Sequence, residues 1–156
     1  MALAICVFMT WCVIIALSLM QKKLTGSEMV FIYFCNTVFE LSVFTIVHLN
    51  FGWIEVSQGA EKGVADLVLR LFTNPLLLII ITNILLYSWK VMKWVIVAAM
   101  LLGFIPMQAL LERLDIISTP HWHLSNTLIM FSSYVLFSRL MAWFIIRIGE
   151  KEANAQ

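Results

Sequence analysis

Apolar stretches of about 18 to 23 residues recur five times along the chain, each closed by a short connection richer in charge, glycine or proline. At about 1.5 Å of rise per residue, a helix of that length crosses a hydrocarbon core of about 30 Å. The pattern predicts an all-α, polytopic transmembrane helical bundle with spans over residues 2–20, 28–49, 67–89, 94–111 and 126–147. Breakers refine the map. Asn74 and Pro75 put a start or a kink near the beginning of the third span, and Gly103 with Pro106 predict a bend in the fourth. The connection Asn50 to Asp66, with Gly52, Gly59 and Gly63, reads as the main exposed loop, with room for a short amphipathic or re-entrant piece.

Composition removes the soluble alternatives. Hydrophobic residues make up 62% of the chain and charged residues 12%, too few polar groups to cover a water-facing surface. A net charge of +1 without a basic block argues against a nucleic-acid partner. The connections are short, so residues 1–149 read as one transmembrane domain followed by a short polar tail, 150–156. The first stretch reads as a retained helix, since a basic leader and a small-residue cleavage pattern are both missing around it. Cys6, Cys12 and Cys35 fall inside spans and read as free thiols.

Charge placement predicts orientation. With the N-terminus outside, the cytoplasmic segments hold Lys22, Lys23, Lys90, Lys93, Arg147 and Lys151, against Lys62, Arg70 and Arg113 outside, the asymmetry expected of retained basic loops. Trp53, Trp89, Trp94, Trp122 and Trp143 lie near span ends, where amphipathic rings favour the headgroup region. The expected location is the cell membrane, multi-pass, with the lipid bilayer as principal partner.

Glu40 is the acid nearest the middle of a span, and an intramembrane ionisable group needs a partner or water. Tyr33, Asn36, Thr37, Glu40, Phe44 and His48 share one side of the second helix at three- and four-residue steps, a polar stripe aimed at the bundle interior. Arg139 in the fifth span lies at a depth within about 6 Å of Glu40, by helical rise. An ion pair between them is expected, with Ser132, Ser133 or Ser138 as further partners. The competing reading has Arg139 snorkelling to the headgroups and Glu40 protonated inside the bundle. Asp66 and Arg70, four residues apart, make a helical ion pair. Asn74 and Asn83 are placed to hydrogen-bond between helices. On the opposite, outer side, His48, Glu112, Asp115, His121 and His123 form a weak candidate set for a divalent metal. No cofactor is expected.

The layout resembles a group of small, mostly uncharacterised five-helix integral membrane proteins of spore-forming Firmicutes. Glu40 in the second helix, the Asn74-Pro75 step, Glu112 ending the fourth, and Trp122, Asn126, Met130, Phe131 and Arg139 around the last helix carry it. Those proteins tend to have a more basic segment near the last helix. The resemblance implies a membrane protein and supplies no catalytic residue. The expected function is a non-enzymatic membrane subunit or scaffold that assembles with itself or with other membrane proteins. Alternatives are an oligomeric ion or small-solute channel or transporter using the Glu40 stripe, and a metal-dependent membrane enzyme.

Overall fold

The computed structural model describes residues 1–57, 59–120 and 122–153, with side chains through residue 149. It is mostly helical, and among these residues five helices are long and apolar enough to cross a membrane. They are α1 (Ala2–Leu19), α2 (Gly26–Asn50), α3 (Ala60–Leu86), α4 (Met92–Arg113) and α5 (Leu124–Ala153).

Helix α2 begins two residues before the predicted start because Thr25 caps it. The Thr25 hydroxyl accepts from Glu28 N at 3.4 Å, and the Glu28 carboxylate accepts from Thr25 N at 2.7 Å. This reciprocal box satisfies two free N–H groups. Its far end closes in a π-turn, Ile46–Asn50, followed by Gly52 at φ +61°, a left-handed position that glycine tolerates without a Cβ clash.

The predicted bounds of the third span need correction. The predicted loop Asn50 to Asp66 ends at Gly59, and the amphipathic turns after it are continuous with the span as one helix, Ala60–Leu86. Pro75 neither starts nor breaks it. The helix widens into a π-turn over Leu69–Thr73 just before the proline, where an extra residue per turn absorbs the missing N–H and the ring. The carbonyl of Leu71, four residues before Pro75, then accepts the Tyr33 hydroxyl at 2.6 Å. A backbone group orphaned by proline thus becomes an anchor for α2. The last helix also runs further than predicted, to Ala153; the predicted tail beyond that residue lies outside the described residues.

Helix α3 is the centre of the bundle. Of its most apolar window, 56% of residues are buried, against 17 to 22% for the other spans. Helix α1 lies on it through Ala2, Cys6, Thr10 and Val13, a stripe of mostly small side chains that lets two helices approach closely. Helix α5 presents Thr127, Phe131, Tyr134, Ser138 and Ala142 inward at three- and four-residue steps. Phe104 of α4 stacks on Phe131 with ring centroids 3.7 Å apart.

The two ends of the bundle differ. At one, strands β1 (Glu55–Val56) and β2 (Ile117–Ser118) pair antiparallel, Glu55 opposite Ser118. This ribbon places Ile54, Ile116 and Ile117 over Ala2, Cys6, Ala65, Leu69 and Leu111. The other end gathers Lys22, Lys23 and Lys90 in the connections that follow α1 and α3, with Lys93 in the first turn of α4.

Candidate functional site

Inside the bundle, α2 packs against α3 and α5, and this three-helix seam holds most of the buried polar residues. Asp66, Arg70 and Asn74 stand at four-residue steps on α3. The Arg70 Nε donates to Asp66 Oδ2 at 2.8 Å, and the guanidinium lies 3.3 Å from the Phe44 ring centroid. One turn further along, Asn74 Nδ2 donates to Glu40 Oε1 at 2.6 Å. Glu40 is 1% exposed. The next layer links three helices: Asn36 Nδ2 donates to Ser138 Oγ at 2.9 Å, and Ser138 and Thr82 hydroxyls share a hydrogen bond of 2.7 Å.

Among the described residues, four buried polar atoms in these layers have no hydrogen-bond partner: Asn36 Oδ1, Glu40 Oε2, Asn74 Oδ1 and the Tyr134 hydroxyl. Native proteins pair the large majority of such atoms, and these four gather around the one carboxyl of Glu40. A cavity of about 50 Å³ reaches one of these four residues, Asn74. It runs from Gln108, Thr119 and Trp122 near the ribbon to Arg70 and Asn74, with space for a few water-sized occupants.

The expected Glu40–Arg139 ion pair is not formed. Glu40 bonds to Asn74, and no acid lies within ion-pair distance of Arg139 among the described residues. Helical phase explains this. Ser138 occupies the buried face of α5, and Arg139, about 100° further round, lies half-buried beside Leu86, Trp143, Ile146 and Arg147. Its position fits the competing reading, in which the side chain reaches toward the basic end. Ser132 is exposed, Ser133 bonds back to Met130 O, and Ser138 alone of the three serines joins the network.

The remaining candidates separate. His48 Nδ1 meets Ile54 O at 2.5 Å, and its ring stacks on Phe44. Glu112 accepts from Gln108 Nε2 at 3.1 Å and from the Thr119 hydroxyl. Asp115 lies 3.8 Å from Lys62 Nζ. His123 is exposed, and His121 lies outside the described residues. Among those residues, no group of three or more His, Cys, Asp or Glu is placed to hold a metal ion. The Asp66–Arg70 pair forms as expected, and Asn74 and Asn83 both bind between segments.

No protein-family model, curated protein or solved structure matches the chain.

Proposed function

We propose that the chain is a non-enzymatic subunit of a membrane, crossing it five times with the N-terminus outside and the C-terminus in the cytoplasm. The observation that carries this reading is the segregation of side chains. Asn36, Glu40, Thr73, Asn74, Thr82 and Ser138 are buried against neighbouring helices, while Phe8, Trp11, Phe34, Val38, Leu102, Ile129 and Leu136 face outward. Such a molecule uses its polar groups to join its own helices and offers lipid or other membrane proteins an apolar exterior. Lys22, Lys23, Lys90 and Lys93 at one end favour that end as cytoplasmic.

Among the described residues, the polar seam is bordered by aromatic packing. Beside Glu40, Phe39 stacks on Phe137 with centroids 4.0 Å apart, and its edge meets Tyr134. A single copy is therefore a poor pore, so the channel reading needs several copies where the subunit reading needs none. Reconstitution into liposomes loaded with a pH-sensitive dye tests the choice. The subunit reading predicts no protein-dependent ion flux; flux that Glu40→Gln abolishes would overturn it. Orientation is checked separately with Ser57→Cys and Lys90→Cys in whole cells. An impermeant maleimide is expected to label the first directly and the second only after permeabilisation.

A further inference from the structure

We propose that the Glu40 centre binds one dehydrated monovalent cation, reached through the cavity from the ribbon end. This rests on the membrane placement of the helices and not on the subunit reading. Three of the four unpartnered atoms are oxygens that only accept: Asn36 Oδ1 and Asn74 Oδ1 from amides, and Glu40 Oε2 from a carboxylate. The fourth, the Tyr134 hydroxyl, also offers lone pairs. Their residues are all more than nine-tenths buried. A set of hard oxygens with one acidic member suits an alkali ion, the donor type used at interrupted helices in membrane transporters. Here too the neighbouring helix is irregular, with the π-turn Leu69–Thr73 directly preceding Asn74.

Charge selects the valence. Elements packed on α2 bring Asp66, Arg70 and Tyr134 toward Glu40; Tyr33 and His48 on α2 itself are engaged with the Leu71 and Ile54 carbonyls. Arg70 is matched by Asp66, so an ionised Glu40 leaves one negative charge uncompensated in a low-dielectric interior. A single positive charge neutralises it. A calcium ion would leave an excess charge and would call for six to eight oxygen ligands, and magnesium for an octahedral shell. Asn74 is the contact between site and entrance: its side chain lines the cavity and donates to Glu40. Sodium ion and proton are alternative occupants of the same charge, so binding of one excludes the other.

The test is equilibrium binding of radiolabelled Na⁺ to the full chain in phosphatidylcholine nanodiscs, with choline holding the ionic strength constant. The expected result is saturable binding of one ion per chain, displaced by acidification and abolished by Glu40→Gln in protein that keeps its helical circular dichroism. Asn36→Ala retains the carboxylate but removes one oxygen, and is expected to weaken binding on the order of tenfold. Wild-type protein without saturable Na⁺ binding from mildly acidic to alkaline pH would overturn the proposal, whatever the variants do. So would binding that survives Glu40→Gln unchanged, which would assign the ion to lipid or surface.

Discussion

Two buried polar groups on α3, Asn83 and Asn74, lie nine residues apart on the same helix and are treated in opposite ways by the fold. Both side-chain polar atoms of Asn83 are bonded. Its Oδ1 accepts from the backbone N–H of Lys23 at 2.9 Å and of Leu24 at 3.3 Å, and its Nδ2 donates to Ile79 O at 3.0 Å. It ties the α1–α2 connection to the central helix. Asn74 makes one side-chain bond, to Glu40, and among the described residues its own Oδ1 and three further polar atoms, on Asn36, Glu40 and Tyr134, lack partners. A satisfied amide in a membrane interior is adhesive, since breaking it orphans the groups it served. The half-satisfied cluster around Glu40 is where the proposed cation would bind. Burial alone does not distinguish the two, because both residues are buried; the accounting of donors and acceptors does.

Substitutions sharpen that contrast. The largest effect is expected from Asn83→Leu, which strands the Lys23 and Leu24 N–H groups and should destabilise the bundle by about 2 kcal/mol, read as a lowered melting temperature in detergent. Next is Tyr33→Phe, which leaves the Leu71 carbonyl without its donor beside Pro75 and should lose about 1 kcal/mol. A loss as large as that of Asn83→Leu would show that the proline region depends on this bond far more than its geometry implies. Glu40→Gln keeps an oxygen for Asn74 to donate to, so without sodium it is expected to change stability by less than about 1 kcal/mol. Smallest is the coupling between Glu40 and Arg139. A double-mutant cycle with Glu40→Gln and Arg139→Gln should return less than about 0.5 kcal/mol, and a larger value would restore the ion pair that the sequence suggests.

The sequence reveals how many helices there are more readily than it reveals which residues meet. Apolar runs define five helices because the length needed to cross a bilayer is fixed by helical rise. Their ends are harder to place. The third helix starts at Ala60, seven residues before the predicted bound, so Arg70 lies about 10 Å deeper along it than expected. At that depth Arg70 and Asn74, and not Arg139, lie beside Glu40. The inward stripe of α2 was legible from three- and four-residue spacing, and Asn36 and Glu40 are both buried. On α5, depth alone chose Arg139, whereas phase relative to Phe131 and Tyr134 would have chosen Ser138. Two further signals stand in the sequence. Thr25 with Glu28 is a capping box visible in the sequence, and the apolar Leu67, Val68, Leu69, Leu71 and Phe72 ahead of Pro75 let a helix run into the proline through a π-turn. The ribbon pairs two-residue strands about sixty positions apart, too short for any local pattern to announce.

The most direct test of the contrast is the melting temperature as a function of Na⁺, at constant ionic strength, for wild type, Glu40→Gln and Asn83→Leu side by side. A ligand that binds only the folded state raises stability with its concentration. Because the cation needs an ionised carboxylate, the rise should be larger at alkaline pH and fade as the pH falls. The predicted result is a sodium-dependent rise in wild type, the same rise from a lower starting point in Asn83→Leu, and none in Glu40→Gln. A wild-type melting temperature indifferent to sodium, or one that rises equally in Glu40→Gln, would contradict the account.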